Sequence, residues 1–368
     1  MEKFNLEEYL SNGVENIVSE IIKATLQNPK ESMFMAKYAI ESRNTRRLRR
    51  KSEERGEHIP PFLIGSITTA CNLHCKGCYA RANHHCQDDV GIQSRMLSAR
   101  QWGDIFREAE ELGIGFILLA GGEPFLRKDV LMEAAKHRKI LFPVFTNGTM
   151  FSDETMVLLD ENRNLIPVLS IEGNQELTDT RRGDGIYHKL MDSMQRLKEK
   201  GIVFAASVTV TKENYRDVLD DAFLAVLKEQ GCKGVIYVEY VPVDGTTKDL
   251  APDDAARQLM MGRLNELRRQ EGEMVLIAFP GDEKSSGGCL AAGRGFFHIN
   301  AMGGAEPCPF SPYSDVNLKE TTLRQALKSP LFSKLRENGN LEKEHIGGCV
   351  LFEQEEAVKQ LMGGNEYI

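Results

Sequence analysis

The amino-acid sequence predicts an α/β fold built as a partial barrel of six strand–helix units. Short apolar segments recur along the middle of the chain, and amphipathic helical segments separate them. Continuous apolar strands that alternate with such helices are typical of parallel sheets covered by helices. The strands are predicted near residues 63–69, 115–120, 141–146, 166–171, 202–210 and 234–241.

The helix before the second predicted strand has clear start and stop signals. Ser98 followed by Gln101 forms a capping box, and Gly113 is a stop residue. Between them, apolar residues recur at helical spacing, so one face of this helix is predicted to pack on the sheet. The apolar positions are Trp102, Ile105, Phe106, Ala109 and Leu112.

Length and charge limit the classes of function. The chain has 368 residues and a net charge of −8, which argues against nonspecific nucleic-acid binding because such binding requires a basic surface. No apolar run approaches the roughly 18 residues that a membrane span needs, and the N-terminus has no charged-then-apolar signal segment. The sequence therefore predicts a cytoplasmic protein without a membrane or nucleic-acid partner.

Residues 1–60 are predicted to form an N-terminal helical extension. Pro60 and Pro61 mark its boundary with the barrel, which is predicted to cover residues 61–270. The basic run over residues 43–51 is predicted to be a solvated helix end rather than a phosphate site. An apolar stripe in the extension is most simply explained by packing against the barrel. The stripe consists of Val14, Ile17, Val18, Ile21, Ile22 and Leu26.

Three cysteines, Cys71, Cys75 and Cys78, follow the first predicted strand in the spacing C-x3-C-x2-C. Three thiolates so close together can hold three irons of a four-iron cluster and leave the fourth iron open to a small molecule. A structural zinc site is the alternative, but zinc usually takes four ligands in two pairs, and only one tight group occurs here. The favoured interpretation is a [4Fe–4S] cluster, which requires a reducing compartment such as the cytoplasm.

This spacing resembles that of the radical S-adenosylmethionine (radical SAM) enzymes. The resemblance implies that the open iron chelates the amino and carboxylate groups of S-adenosylmethionine. It also implies that an electron from the cluster breaks the sulfonium bond to give a 5′-deoxyadenosyl radical. The fold implied is a partial (β/α)6 TIM-like radical SAM barrel, in which the protein positions and shields a cofactor that carries the hard step.

Further segments resemble family motifs at the ends of predicted strands. Gly121, Gly122 and Glu123 resemble the GGE motif, which holds the amino group of S-adenosylmethionine through backbone carbonyls and one carboxylate. Asn147 and Ser170 resemble family positions that line the ribose and the carboxylate of this cofactor. Because sites in such barrels lie at the carboxyl ends of the strands, the positions of these motifs are consistent with one another.

Charged and aromatic residues complete the site that the resemblance implies. Glu172 belongs to the same strand tip as the ribose-lining serine, and Arg182, favoured over Arg181, resembles an arginine that reaches the carboxylate of S-adenosylmethionine. A guanidinium suits this role because it pairs bidentately with a carboxylate. The strand near 234–241 resembles the sixth barrel strand, whose backbone lies along the adenine. The candidates for proton transfer are Glu239, Tyr240 and Glu172.

One position departs from the family pattern. The residue before the third cysteine is commonly aromatic, but in this sequence it is Gly77. The packing of that ring against adenine is therefore absent, whereas the backbone carbonyl that can accept from the adenine amine remains. Tyr79 is the candidate that would supply the ring instead.

The last quarter of the chain, residues 271–368, resembles the SPASM and twitch modules that carry auxiliary clusters. Cys289, Gly303 and Cys308 reproduce the spacing of the first half of such a module, and Cys349 resembles the late cysteine that returns to the same cluster. The cysteines for a second auxiliary cluster are absent. The resemblance therefore implies one auxiliary [4Fe–4S] cluster in a small α+β module, with buried structural thiols as the alternative.

Several details of this module stay open. Residues 295–308 are predicted to form a hairpin with cysteines at its base. An open iron that binds substrate is an alternative to a fourth protein ligand. Of the remaining cysteines, Cys86 is predicted to be an ordinary loop residue and Cys232 a core residue. A place near the active site is the alternative for Cys86, because it lies just beyond the cluster loop. The candidate fourth ligands are Asp282, Glu283 and His345.

The resulting hypothesis is a radical SAM enzyme that takes hydrogen from a substrate held between the barrel mouth and the auxiliary cluster. A peptide or protein side chain is the favoured substrate, although the N-terminal extension lacks the strands of a leader-peptide domain. A small metabolite or cofactor precursor is the alternative. A reductant such as flavodoxin or ferredoxin would supply the electron. Two hypotheses of other classes are a noncatalytic iron–sulfur electron carrier, which would not bind S-adenosylmethionine, and a structural zinc protein.

Overall fold

The structure is a computed structural model that describes residues 6, 8–10, 19, 28–87, 90–243, 245–270, 274–280, 287–341 and 348–362. Within these residues, nine strands form one sheet. The strands are β1 (Phe62–Ser66), β2 (Phe116–Ala120), β3 (Phe142–Thr146), β4 (Leu165–Ser170), β5 (Ala205–Val210), β6 (Gly234–Glu239), β7 (Val275–Phe279), β8 (His298–Ile299) and β9 (Ala305–Glu306).

The strand order along the sheet is β7-β6-β5-β4-β3-β2-β1-β8-β9. Neighbours from β7 to β8 are parallel, and β8 and β9 form an antiparallel pair. The sheet curls into a half-barrel, which confirms the predicted partial barrel of parallel strands. The β7 strand lies on the module side of the predicted boundary at residue 270, yet it extends the barrel sheet beside β6.

The β8–β9 hairpin joins the C-terminal part of the chain to the first barrel strand. Ile64 of β1 is paired with His298 of β8, and β8 turns back into β9. The hairpin predicted over residues 295–308 is therefore confirmed. Gly303 in its turn has a φ of +96°, a conformation that favours glycine. As a result, Cys308 follows a strand that is tied to the barrel.

Helices connect successive parallel strands, as the sequence predicts. No helix in the described ranges is long and apolar enough to cross a membrane. Short 3-10 helices cover Pro124–Leu126, Asp217–Leu219 and Lys248–Leu250. The α-helices are α1 (Pro29–Glu53), α2 (Tyr79–Ala82), α3 (Val90–Gln93), α4 (Ala99–Leu112), α5 (Lys128–Lys136), α6 (Asp153–Glu161), α7 (Gln175–Arg182), α8 (Ile186–Glu199), α9 (Asp221–Glu229), α10 (Asp254–Arg269), α11 (Leu323–Ala326), α12 (Pro330–Glu337), α13 (Val350–Glu353) and α14 (Glu355–Leu361).

The α4 helix begins and ends where the sequence predicts. The Gln101 amide donates to Ser98 Oγ at 3.3 Å, and the Ser98 amide donates to Gln101 Oε1 at 2.9 Å, which confirms the capping box. Gly113 ends the helix with a φ of +85°. On the buried face, the rings of Trp102 and Phe106 stack with centroids 5.7 Å apart. This helix therefore packs its apolar side on the sheet.

The α1 helix packs on the barrel at the start of β2. The Tyr38 hydroxyl donates to the Gly115 carbonyl at 2.7 Å, and Arg49 Nη1 donates to the Gly113 carbonyl at 2.7 Å. One arginine of the predicted solvated basic run is therefore buried, because it binds the end of α4. The residues of the predicted apolar stripe lie outside the described part of the chain.

Candidate active site

The loop that carries the first three cysteines crosses the carboxyl ends of the barrel strands. It runs from β1 to α2, so Cys71, Cys75 and Cys78 lie at the end of the barrel where sites are expected. All three cysteines are partly buried and unpaired in disulfides. The three thiols are therefore available as ligands.

Hydrogen bonds fix this loop to neighbouring parts of the barrel. The Lys76 amide donates to the Arg181 carbonyl at 2.8 Å. Asn72 Nδ2 donates to Thr149 Oγ1 at 2.8 Å, and Asn147 Nδ2 donates to Asn72 Oδ1 at 2.8 Å. The loop is thus anchored to the segment after β3 and to the end of α7.

A fourth cysteine lies beside this loop. A hydrogen bond from Cys86 is the main cause that lowers the pKa of Cys71 to about 6, whereas burial raises the pKa of Cys75. Cys86 lies in a loop, as predicted, but its side chain is buried against the cysteine loop, which favours the alternative of a place near the active site. The chain folds back to make this contact, with the Cys86 amide donating to the Ala80 carbonyl at 2.8 Å. Cys232 is a buried core residue, as predicted.

Two glycines let the end of β2 approach the cysteine loop. A Cβ atom on Gly121 would lie 2.4 Å from the Thr68 carbonyl oxygen, and one on Gly122 would lie 1.9 Å from the Ala70 carbonyl oxygen. The Glu123 amide donates to the same Ala70 carbonyl at 2.8 Å. A side chain at either glycine would push the loop off the strand end, so the contact requires glycine at both positions.

The Glu123 carboxylate is buried and accepts hydrogen bonds from several protein donors. Its Oε1 accepts from Thr146 Oγ1 at 2.8 Å and from the Phe125 amide at 3.1 Å, and its Oε2 accepts from the Asn147 amide at 2.8 Å. Burial raises the pKa of Glu123 to about 7, although these donors oppose the shift. This carboxylate therefore joins the end of β2 to the end of β3.

A buried carboxylate and two guanidinium groups lie beyond β4. Glu172 Oε1 accepts from Arg181 Nη1 at 2.6 Å and from Arg182 Nη2 at 2.5 Å, while its Oε2 accepts from the Thr209 amide at 2.9 Å. Burial disfavours its ionisation, but the two arginines outweigh this effect and lower the pKa of Glu172. Arg182 Nη1 also lies 4.0 Å from the sulfur of Cys75. Arg182 thus spans the carboxylate and the cysteine loop.

The ring that lies against Gly77 belongs to Tyr240. A Cβ atom on Gly77 would lie 2.4 Å from the Tyr240 hydroxyl oxygen and 2.9 Å from two of its ring carbons, and Gly77 has a φ of +65°. The Tyr240 hydroxyl is hydrogen-bonded to Thr247. Tyr79, the residue predicted to supply a ring here, packs instead against Phe310, with ring centroids 5.0 Å apart.

The remaining residues predicted for the site also lie at strand ends. Glu239, the last residue of β6, is buried and accepts from Arg257 Nε at 2.7 Å. Ser170, the last residue of β4, is half-buried. Of the three candidates for proton transfer, Glu172 and Glu239 are therefore in ion pairs and Tyr240 is in a hydrogen bond.

The three late cysteines converge in the C-terminal part of the chain. Cys289, Cys308 and Cys349 are all buried. Burial raises the pKa of Cys308 well above its usual range, and a hydrogen bond with Cys349 and the nearby Cys289 thiol add to the shift. The predicted fourth ligands lie outside the described residues; they are Asp282, Glu283 and His345.

The chemistry of both cysteine groups fits iron–sulfur clusters. Neighbouring thiolates repel one another, and burial adds to the cost of ionising them, unless cations neutralise the charge. Iron ions supply such charge, and three cysteines can hold three irons of a [4Fe–4S] cluster. The loop with Cys71, Cys75 and Cys78 is partly exposed, whereas the group around Cys308 is buried. A small molecule can therefore reach the loop of Cys71, Cys75 and Cys78 more easily than the group around Cys308.

A half-barrel with a three-cysteine loop across its strand ends defines the class of the radical SAM enzymes. Residues 66–225 match the Radical SAM superfamily model. This match covers less than half of the chain, and it confirms the resemblance to radical SAM enzymes that the cysteine spacing predicts. The cofactors that this similarity implies are a [4Fe–4S] cluster and S-adenosylmethionine.

Two relatives and one solved structure illustrate the similarity. The chain is 28% identical to Fe-coproporphyrin III synthase of Methanosarcina barkeri over 49% of this chain and 44% of that protein. It is 28% identical to the mycofactocin maturase MftC of Mycolicibacterium smegmatis over 70% of this chain and 66% of that protein. These matches span about half to two thirds of the length of the two relatives. Streptococcus suis SuiB bound to S-adenosylmethionine shares the fold, with a TM-score of 0.67, 19% identity and coverage of 87% and 81% of the two chains.

Two contacts of the site were missed in the sequence, and the place of Cys86 was only an alternative there. The contact of Cys86 with the cysteine loop depends on how the chain turns after α2. The contact of Tyr240 with Gly77 joins residues 163 positions apart, a distance that periodicity does not reveal. Glu239 is paired with Arg257 of α10. The position of Arg257 near β6 depends on how α10 packs on the sheet.

Proposed function

We propose that this enzyme cleaves S-adenosylmethionine reductively and takes a hydrogen atom from a peptide or protein side chain. When bound, the [4Fe–4S] cluster would supply the electron for reductive cleavage of the sulfonium bond, and the 5′-deoxyadenosyl group would take the hydrogen. The observation that carries the proposal is the loop of Cys71, Cys75 and Cys78 fixed over the strand ends by contacts to β2, β3, β6 and α7. We assign these three cysteines to the irons of that cluster.

The methionine end of S-adenosylmethionine is assigned to the ends of β2 and α7. The backbone of Gly121 and Gly122 would receive its amino group, and the Arg182 guanidinium would pair with its carboxylate. Two buried carboxylates would act through other groups. Glu123 positions the end of β3, and Glu172 orients Arg182 through the ion pair between them.

The nucleoside end is assigned to the tips of β3, β4 and β6. Asn147 and Ser170 would line the ribose, as the family motifs imply. The Gly77 carbonyl would accept from the adenine amine, and the ring of Tyr240 would supply the aromatic surface that a residue at position 77 commonly provides. The contact between Gly77 and Tyr240 supports this assignment, in which a ring from the segment after β6 replaces the ring of the cysteine loop.

The auxiliary cluster is assigned to Cys289, Cys308 and Cys349. Their mutual contact and burial support this assignment. The segments that carry the two cysteine groups are adjacent, since Tyr79, next to Cys78, packs on Phe310, which lies two residues after Cys308. A substrate between the groups would therefore contact both, and the auxiliary cluster would accept an electron from it or hold it directly.

Proton transfer during substrate oxidation is assigned to a side chain at the strand tips. Tyr240 is the candidate nearest to the cysteine loop, because its ring lies against Gly77. Glu239 and Glu172 are held in ion pairs with arginines. These pairs would have to open before either carboxylate could accept a proton, so Tyr240 is the first of the three to test.

A peptide substrate is supported by the maturase among the relatives. SuiB shares the fold and has a structure with its precursor peptide SuiA, so a fold of this kind can accommodate a peptide. The second candidate is a small cofactor precursor, which is favoured by the similarity to Fe-coproporphyrin III synthase. The electron would come from a flavodoxin or a ferredoxin, in agreement with the low potential such clusters need.

Deuterium transfer tests the substrate class directly. The reconstituted enzyme is incubated with S-adenosylmethionine, dithionite and a perdeuterated peptide encoded by a reading frame beside its gene. A peptide substrate predicts 5′-deoxyadenosine that is heavier by one deuterium, with no transfer in the Cys75→Ala variant. Transfer from a deuterated tetrapyrrole precursor of Fe-coproporphyrin III but from none of the encoded peptides would overturn the peptide proposal in favour of the second candidate.

A further inference from the structure

A buried cluster of two histidines and one glutamate lies between the two cysteine-bearing segments. His298 Nδ1 lies 2.7 Å from Glu306 Oε2, and His85 Nε2 lies 3.1 Å from Glu306 Oε1. One ligand-type atom from each residue lies within 4.8 Å of the other two. The side chains of His298 and Glu306 are 0% and 2% exposed, and that of His85 is 13% exposed.

Neighbouring polar groups orient two of these three side chains. Ser66 Oγ lies 2.7 Å from His298 Nε2, which directs the Nδ1 atom at Glu306. Asn300 Nδ2 donates to Glu306 Oε1 at 2.6 Å. Metal-binding histidines and carboxylates are commonly held by such outer hydrogen bonds, which fix the ring orientation and the tautomer.

The cluster is not a complete hydrogen-bond network on its own. His85 Nδ1 is buried and has no hydrogen-bond partner in the part of the chain that the structure describes. A buried polar atom without a partner costs about 1–3 kcal/mol. The ring of His85 is therefore held within the cluster through Nε2, the nitrogen that faces Glu306.

We propose that His85, His298 and Glu306 bind one divalent metal ion of the zinc class. Imidazole nitrogen and carboxylate oxygen are ligands that zinc accepts at about 2.0–2.2 Å, which places ligand atoms about 3.3–3.5 Å apart in a tetrahedral site. The separations of 2.7 and 3.1 Å end on different oxygens of Glu306, so the carboxylate would have to turn one oxygen toward both histidines as the site fills. A divalent cation would also neutralise the single buried carboxylate, with both histidines as neutral ligands.

The three ligands belong to segments that the two cysteine groups also use. His85 follows the first cysteine loop and α2, whereas Glu306 of β9 stands two residues before Cys308. His298 belongs to β8, which pairs with β1. The ion would therefore hold the first cysteine loop and the auxiliary segment at a fixed separation, as a structural site next to the chemistry.

Zinc analysis of the holoenzyme tests this inference. The anaerobically reconstituted protein is supplied with one equivalent of Zn²⁺, freed of unbound metal and analysed for zinc, iron and sulfide. We expect about one zinc per chain, with X-ray absorption at the zinc edge showing only nitrogen and oxygen neighbours at about 2.0–2.2 Å. Sulfur neighbours at about 2.3 Å would place the ion on cysteines and overturn the proposal.

Variants separate this site from chance binding. His85→Ala and Glu306→Gln should both reduce zinc to near zero, whereas His84→Ala removes an exposed neighbouring histidine and should retain it. His85 lies at the edge of the cluster, so His85→Ala decides the question if Glu306→Gln does not fold. Iron content shows that the variants are folded. Equal zinc in the wild type and in His85→Ala would mean an adventitious ion only, and the absence of zinc from the wild type would likewise refute the site.

Discussion

Single contacts around the cysteine loop determine which side chains can serve the cofactor. The ring of Tyr240 lies where a side chain on Gly77 would be, so we assign the adenine surface to the residue after β6 rather than to the loop. Arg182 reaches from Glu172 to Cys75, which places one positive charge beside the first cluster site. Substitutions at Tyr240 and Arg182 should therefore have different effects, because the contact of Tyr240 is apolar and that of Arg182 is ionic.

Substitution of Tyr240 tests the assigned adenine surface. Tyr240→Ala should weaken binding of S-adenosylmethionine to the reconstituted protein by about threefold to tenfold, because an aromatic contact contributes about 0.5–1.5 kcal/mol. Tyr240→Phe keeps the ring and should bind nearly as the wild type does. Isothermal titration calorimetry measures both affinities. If the alanine variant bound S-adenosylmethionine with wild-type affinity, the ring would lie away from the cofactor.

The thiol of Cys86 should influence the potential of the first cluster. Hydrogen bonds to cluster sulfurs raise the reduction potential because they stabilise the more negative reduced state. Cys86→Ala removes the donor beside Cys71 and should lower the potential without loss of iron. A redox titration that is monitored by electron paramagnetic resonance measures the shift in potential. The control is Cys232→Ala, which removes a thiol from the core. A potential equal to that of the wild type would show that the two sulfurs do not interact in the loaded protein.

At the scale of elements, the close approach of the β2 end to the cysteine loop depends on glycine. Gly122→Ala would place its Cβ 1.9 Å from the Ala70 carbonyl oxygen, so the loop has to move. We expect a loss of about 1–3 kcal/mol in the free energy of unfolding, typical of overpacking, together with reduced iron content. Thermal or denaturant unfolding of the protein measures the change.

A second glycine provides the matched control. Gly262 lies on the exposed side of α10, and a Cβ there would meet nothing within 4 Å. Gly262→Ala should therefore raise stability by about 0.5–1 kcal/mol, because alanine is the better helix former. Equal effects of the two substitutions would mean that the approach of the loop to β2 is not tight in solution.

The sequence predicted the elements whose signals are local and missed those that depend on tertiary packing. Buried strands such as β2 and β4 are visible as continuous apolar runs, and α4 is visible through Ser98 and Gly113. The β7 strand was not predicted, although it is an apolar run, because its partner β6 is paired with it only in the folded sheet. The cysteine spacings predicted both candidate clusters, whereas the contacts of Cys86 and Tyr240 arise from segments that meet only on folding.

At the scale of the whole molecule, one continuous sheet connects the barrel to the auxiliary module. The β8–β9 hairpin pairs with β1, and Asn83 Nδ2 donates to the Pro309 carbonyl at 3.0 Å. The first cysteine loop follows β1, and Cys308 follows β9. The two candidate clusters are therefore held to one scaffold, which suits a reaction in which a substrate contacts both.

Substitution of Cys308 should remove the auxiliary cluster and leave the first cluster in place. The reconstituted wild type should contain about eight irons per chain, and Cys308→Ser about four. We expect the variant still to cleave S-adenosylmethionine, because the first cysteine loop is intact, but to lose modification of the substrate. Iron and sulfide analysis with product mass spectrometry measures both effects. A wild type with about four irons would remove the auxiliary cluster from this account.

The most direct test of the radical mechanism is the formation of 5′-deoxyadenosine from S-adenosylmethionine and dithionite under anaerobic conditions. We predict 5′-deoxyadenosine from the wild type and from the control Cys232→Ala, and none above background from Cys75→Ala, because we assign Cys75 as a ligand of the first cluster. A wild-type protein that holds its full complement of iron but forms no 5′-deoxyadenosine would contradict the mechanism and would favour a noncatalytic electron carrier.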